Sequence, residues 1–266
     1  MDRLSDTLIK KLYRKSRYYY DTLKNRTVHA RMRKYYLKEK DLEKYFKGRR
    51  GVEVGGPSQI FSSRGILPVY DLIDSLDGCN FTNNTVWEGA IKDETYRFHE
   101  GKTGRQYICE GCSLDFSADG QYDFLLSSHS LEHHANVIKT LREWKRVVKP
   151  GGLLLIVVPE KKYTFDHRRD YTPFGHFIED EANDVDETDL THLDEILRLH
   201  DLFMDPGIDN FEAFKRRSLD NFHNRCFHQH LFNFGNLSQL ADHLQLEVVA
   251  TNFTPPYHNI VFLRKR

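Results

Sequence analysis

YDFLLSSHSLEHHANVIKTLREWKRVVKPGGLLLIVVP, residues 122–159, decides how the rest of the chain is read. Its first segment, 122–128, is an apolar run that closes on two serines. Leu131, Val137, Ile138, Leu141, Trp144 and Val148 then recur at the spacing of one helical face, which predicts an amphipathic helix over 131–148. Lys149-Pro150-Gly151-Gly152 stops that helix and sets the next strand, as proline and glycine do past a helix end. The six apolar residues of 153–158 suit a parallel strand covered on both faces. Strand, helix and strand in succession predict a parallel sheet with right-handed crossovers.

The same alternation extends outward. Upstream, 52–54 reads as a short strand ending in Gly55-Gly56-Pro57, a second strand lies within 69–81, and 106–108 is a third. Downstream, 236–244 reads as a helix, and 246–253 and 258–263 as two strands joined by Thr254-Pro255-Pro256-Tyr257. Residues 160–234 break the pattern: they are acidic, histidine-rich and helical in spacing. Following a strand whose carboxyl end faces the crevice, they are expected to form a lid or substrate wall. Residues 4–46 read as helices, with Leu4, Leu8 and Leu12 in register. The predicted organisation is a helical arm at 1–50 and one domain at 51–266.

Of the 266 residues 39% are hydrophobic, enough for a packed core. Formal net charge is zero, yet residues 1–50 hold 17 Lys and Arg against 6 Asp and Glu, so the arm is +11 and the body −11. Such an arm docks on the acidic body or meets an anionic surface. No run approaches the roughly 18 apolar residues of a membrane span, and MDRLSDTLIKKLYRK lacks the apolar core of a signal peptide; a cytoplasmic location is expected. Cys79, Cys109, Cys112 and Cys226 are then free thiols. Cys109 and Cys112 are spaced CxxC, but with no second pair they read as a loop at a strand end rather than a zinc site.

Ligands of such sheets bind beyond the carboxyl ends of the strands. Glu53-Val54-Gly55-Gly56-Pro57-Ser58 puts adjacent glycines there, where backbone passes close to a ligand; it lacks the third glycine of GxGxxG. Ser127-Ser128-His129-Ser130-Leu131-Glu132-His133-His134 lines the same rim from the fourth strand.

In this order and spacing, the glycine turn, Tyr122–His134 and Arg146–Pro159 resemble the class I S-adenosylmethionine-dependent methyltransferases, particularly methyltransferase type 11. The resemblance covers about 50–160 and, more loosely, 230–264, including HQHLFNF at 228–234. It implies a Rossmann-like α/β fold: a mostly parallel seven-stranded sheet with an antiparallel last strand. It implies S-adenosylmethionine as cofactor, with Glu53, Gly55, Gly56 and Pro57 at the methionine part and Asp77 or Asn80 at the ribose. Ser113 and Leu114, or Asp115 in their place, would stand at the adenine, and Ser128 and His129 would wall the transfer site. The arm and most of 160–227 fall outside it.

Methyl transfer from a sulfonium is an in-line displacement from an activated donor, so the protein chiefly aligns and desolvates. A hydroxyl nucleophile also benefits from a base. Candidates are His129, His133, one helical turn apart if the helix starts early, and the adjacent Asp166 and His167. Asp166, His167, His176 and His192 fit no compact metal motif, so no metal is expected. TFDHRR at 164–169 and DLTHLDEILRLHD at 189–201 loosely resemble stretches of bacterial methyltransferases of polysaccharide biosynthesis, implying a saccharide hydroxyl as acceptor; another small-molecule hydroxyl is the near alternative. Two other readings stay open. The basic arm with Tyr18, Tyr19 and Tyr20 could track and stack a nucleic acid, or the chain could bind the cofactor without catalysis.

Overall fold

The computed structural model describes residues 39–85, 89–205, 208 and 210–266. The predicted helices of 4–38 lie outside the described residues. Ten strands and seven helices follow in chain order: α1 (Glu39–Phe46), β1 (Arg50–Val54), β2 (Ser75–Asn80), β3 (Asn84–Thr85), β4 (Gly89–Ala90), β5 (Thr95–His99), β6 (Lys102–Ile108), β7 (Tyr122–Ser128), α2 (Val137–Val147), β8 (Val148–Pro159), α3 (Phe174–Ala182), α4 (Leu193–Leu199), α5 (Phe211–Leu219), α6 (Asn221–Asn224), α7 (Phe234–His243), β9 (Leu246–Thr254) and β10 (His258–Lys265).

Eight strands form one sheet in the order β5-β6-β2-β1-β7-β8-β10-β9. β6, β2, β1, β7 and β8 run parallel; β10 is antiparallel to both β8 and β9. This is the expected Rossmann-like arrangement with its antiparallel last strand, plus an eighth strand. β5 pairs antiparallel to β6 at the edge, because Gly101, at φ 72°, reverses the chain. No alternating run announced it: only Tyr96 and Phe98 of β5 face inward.

Side chains of β8 show why both faces must be covered. Leu153, Leu155 and Val157 join one core with Phe46, Phe61, Tyr70, Phe98 and Phe124. Leu154, Ile156 and Val158 join the other, with Leu141, Trp144, Phe177, Leu237 and Leu240. Successive strand residues point to opposite faces, so a continuous apolar run fills two cores. Helices α2 and α7 cover the second face. The first is covered by α1, whose Phe46 packs edge-on against Phe124 at 5.0 Å, and by the irregular segment between β1 and β2, which has a single 3-10 turn at Gln59–Phe61.

Two boundaries differ from the expectation. α2 begins at Val137, with Asn136 as its N-cap; 131–133 is a separate 3-10 turn. His129 and His133 therefore share no helix face. Pro150-Gly151-Gly152 lies inside β8, which already pairs Val148 with Tyr122 before a register shift to Leu153 opposite Phe124. The chain leaves α2 straight into the ladder and absorbs the glycines as an irregularity. The insertion after β8 carries helices α3 to α6 and a small cluster of its own, Ile196, Ile208, Phe214 and Phe227. Among the described residues no helix is long and apolar enough to cross a membrane.

Candidate active site

The carboxyl ends of β1, β2, β6 and β7 meet at one cavity with about 460 Å³ of empty space, part of it open to solvent. Gly55 follows β1 at φ 80°. A Cβ built there would stand 2.9 Å from both Cβ and Oγ of Ser130. The glycine turn and the tip of β7 thus flank one crevice, because their strands are neighbours in the sheet.

Glu53 is fully buried beneath this turn and does not border the cavity. Its carboxylate accepts the hydroxyls of Tyr70 and Tyr96, both at 2.7 Å, and the Ser58 N–H at 3.1 Å. Burial, and then the Glu53 charge, drive the Tyr70 hydroxyl far above its ordinary pKa, so the tyrosine stays a donor. Glu53 is therefore turned inward, fixing the path of 55–58. Pro57 is likewise absent from the lining.

At the end of β2 the two residues expected near a ribose separate. Asp77 is tied to Arg50 at 2.9 Å, to the Tyr122 hydroxyl at 2.8 Å and to the Arg105 N–H at 2.9 Å, and does not reach the cavity. Asn80 does. Its Nδ2 donates to Gly56 O at 3.0 Å, while its Oδ1 is buried without a hydrogen-bond partner. After β6 the lining comes from Cys109, Glu110 and Gly111. Trp144 of α2 fixes that loop by donating to Gly111 O at 2.8 Å. Ser113 instead bonds its neighbour Asp115 at 3.0 Å on the surface, and Leu114 is buried in the core with its N–H on Glu143 at 2.6 Å.

On the other wall His129, at φ 51°, turns the chain out of β7, with His133 and His134 beside it. Ser128 is buried just behind, its Oγ without a hydrogen-bond partner. Glu132, 1% exposed, sits among the histidines: His129 Nδ1 is 3.5 Å from its Oε1 and His133 Nε2 is 4.0 Å away. Burial pushes the Glu132 carboxyl up, but His129, His133 and His228 more than offset it and hold it at about 2. Burial lowers His133 to about 4. His133 Nδ1 is 3.0 Å from Phe227 O, which can only accept, so the proton sits on Nδ1 and Nε2 is bare.

Asp166 and His167 part company. Asp166 is buried against His228, Oδ2 to Nδ1 2.6 Å, and against Arg169 at 3.1 Å. His167 turns to Asp201 at 2.9 Å. Neither borders the cavity, though the His228 ring stacks edge-on against His133 at 4.9 Å.

Several lining residues were not anticipated. Arg225 of the insertion, 5% exposed, pairs with Glu110 at 2.7 Å and Glu187 at 2.5 Å, over the ring of Phe81 at 5.2 Å. Burial pushes Glu187 up to about 7. His258 reaches His129, Nδ1 to Nε2 2.8 Å, through the pairing of β10 with β8. Ser130 and His134, by contrast, lay within the marked stretch 127–134.

The cavity suits S-adenosylmethionine. Its turn has room where a Cβ would intrude, and its β2 end holds a buried carbonyl oxygen of Asn80 with no hydrogen-bond partner. A family model described as a methyltransferase domain matches residues 71–156, about a third of the chain. No curated protein matches this chain. Similar solved structures include an S-adenosylmethionine-dependent methyltransferase from Methanosarcina mazei, 14% identical, covering 82% of this chain and 93% of that one with TM-score 0.47. Another, from Listeria monocytogenes, is a putative S-adenosylmethionine-dependent methyltransferase, 13% identical over 85% and 97% with TM-score 0.47. A third, a 1,6-didemethyltoxoflavin N1-methyltransferase from Burkholderia thailandensis solved with S-adenosylhomocysteine, is 11% identical over 82% and 72% with TM-score 0.43.

Residues 71–156 match a methyltransferase domain, and the strand order is the Rossmann-like one with its antiparallel last strand.

Proposed function

We propose that the chain methylates a hydroxyl of a small polar acceptor, a saccharide in the first instance, with His133 as general base. One observation carries the mechanistic part. His133 is held in the tautomer a base needs, Nδ1–H on Phe227 O, with bare Nε2 beside the Glu132 carboxylate in the cavity wall. Bound S-adenosylmethionine supplies an activated methyl group. Nε2 would take the hydroxyl proton as the oxygen attacks, and Glu132 would stabilise the imidazolium formed. His129, held between Glu132 and His258, would shape the wall. Asp166 would keep His228 charged behind His133: burial alone would lower His228, and Asp166 raises it above its ordinary value. His167 has no part in this reading. The saccharide assignment rests on the resemblance of 164–169 and 189–201 to enzymes of polysaccharide biosynthesis, and on the polar wall of Glu110, Arg225 and Glu187.

On the cofactor side, Gly55, Asn80, Cys109, Glu110 and Gly111 would make the contacts, with Glu53 bracing the turn. Asn80→Leu removes the carbonyl oxygen and the tie to Gly56, and should weaken S-adenosylhomocysteine binding about tenfold, the scale of one buried hydrogen bond. Calorimetry reads this directly; an unchanged Kd removes Asn80 from the site.

His133→Ala should lower kcat by about a hundredfold, in the range typical of a general base, and leave S-adenosylhomocysteine affinity within threefold. Transfer of labelled methyl to saccharides, to other hydroxyl compounds and to mixed RNA tests both halves. Unchanged turnover dismisses His133; RNA labelling, with binding that weakens steeply in salt, dismisses the saccharide.

A further inference from the structure

Three histidines of the insertion meet away from the cofactor cavity. His176 lies in the first turn of α3, His192 at the N-cap of α4, and His230 in the segment leading to α7. One ring nitrogen of each lies within 4.8 Å of the others. His176 Nε2 and His192 Nε2 face each other at 3.0 Å. Each ring's other nitrogen is turned to an acceptor: His176 Nδ1 to Glu179 at 3.7 Å, His192 Nδ1 to Glu195 at 3.7 Å, and His230 Nε2 to Ala135 O at 2.9 Å. Of these the His230 contact to Ala135 O is of hydrogen-bond length, and an outer acceptor of that kind orients a metal-ligating imidazole and holds its proton on the far nitrogen.

Two of the inner nitrogens have only each other as hydrogen-bond partner, and the third has none. His230 is 1% exposed, and its Nδ1 is buried with no hydrogen bond. Asp180 Oδ1 stands 3.6 Å from His176 Nε2, and its Oδ2 is buried with no hydrogen bond. Asp180 Oδ2 lies 3.6 Å from His230 Nε2, on the outer side of the ring, so the buried, unsatisfied His230 Nδ1 is left as an atom for a cation to meet. In a tetrahedral zinc site with bonds of about 2.0–2.1 Å, ligand nitrogens stand about 3.3 Å apart; the His176–His192 pair is already near that spacing.

We propose that His176, His192 and His230 bind one zinc ion through three protein ligands, with the fourth position left to water. The expectation of no metal from spacing alone is thereby revised, since the ligands are scattered over 55 residues of sequence. A groove bordered by His176, His192 and Glu195 opens beside the cluster and gives the ion a way in. The ion would pin three pieces of the insertion to the active-site wall, because the His230 N–H also bonds Glu132 O at 3.2 Å.

The test uses the full chain, dialysed against chelator and titrated with zinc, and with cobalt as a spectroscopic probe. One equivalent of zinc and the visible bands of tetrahedral cobalt are expected. His176→Ala and His192→Ala, both at partly exposed positions, should each weaken zinc at least a hundredfold and lose those bands, with far-ultraviolet circular dichroism and S-adenosylhomocysteine binding retained. Absence of zinc binding by the native chain overturns the proposal. So does binding that survives in both variants but is lost in Glu132→Gln, which would move the ion to the Glu132, His133 and His228 cluster. Loss of S-adenosylhomocysteine binding in the native chain would count against the cofactor cavity and leave the zinc site standing.

Discussion

Gly55→Val should abolish detectable S-adenosylhomocysteine binding, a loss of at least a hundredfold or about 2.7 kcal/mol. Two effects add. The backbone at Gly55 has φ 80°, where a β-branched residue is a genuine outlier. The new Cβ would also meet Ser130 at 2.9 Å, and the valine methyls beyond it would enter the gap between the glycine turn and the tip of β7. Gly101→Val separates the two effects, since Gly101 has a similar φ of 72° but nothing within 4 Å of an added Cβ. The Gly101 variant should lower Tm yet bind normally; the Gly55 variant should lose binding at temperatures where it is still folded. Affinity within threefold of native in folded Gly55→Val would mean the cofactor does not pass this turn.

The second large effect is acid destabilisation. Burial lowers His133 to about 4, His134 to about 3 and His258 to about 3. Their neighbours are Glu132 and His228 for His133, Glu187 and Arg225 for His134, and His129 for His258. Unfolded imidazoles protonate near 6.5, so between about pH 6.5 and 4 the unfolded state binds more protons and the folded state loses stability as pH falls. At pH 5 each histidine costs about 2 kcal/mol on this basis. Glu187, raised to about 7 by burial, works the other way and offsets a part of this, about as much as one of the histidines costs; His228, raised by Asp166, also favours the folded state in acid. His192 and His230, lowered by burial to about 4 and about 3, add to the loss and outweigh Asp180, raised to about 6, so the net is at least about 3 kcal/mol, a large share of a domain's usual 5–15 kcal/mol. Tm should fall by about 6–12 °C from pH 7 to pH 5, measured by calorimetry in matched ionic strength. A flat or rising Tm over that range would show that these histidines are not held neutral.

Local pattern carried most of the architecture. The apolar runs at 124–126 and 153–158, the helix spacing between them and the glycines at 55 and 56 depend on near neighbours, and each states its strand, helix or turn without help from the rest of the chain. From them the parallel sheet and the crevice beside Gly55 follow by general rules of chain connection, while the antiparallel last strand came from the family resemblance. Edge strand β5 was not legible, because a strand exposed on one side needs only two inward residues and leaves no run to see.

Within the site, the tertiary structure decided what spacing could not. Asp77 and Asn80 lie three residues apart on one strand, and only their packing shows that Asp77 is spent on Arg50, Arg105 and Tyr122 while Asn80 borders the cavity and keeps a buried oxygen without a hydrogen-bond partner. His258 comes to His129 from 129 residues away, and Arg225 to Glu110 from 115. Asp166 and His167, adjacent in sequence, point to different partners. Sequence determined the strands and turn that make the crevice, because those are set by residues a few positions apart. Which side chains close it, carry its charge or gather three imidazoles was decided only when distant strands and the insertion packed together, because hydrogen bonding and burial act through space and leave no period along the chain.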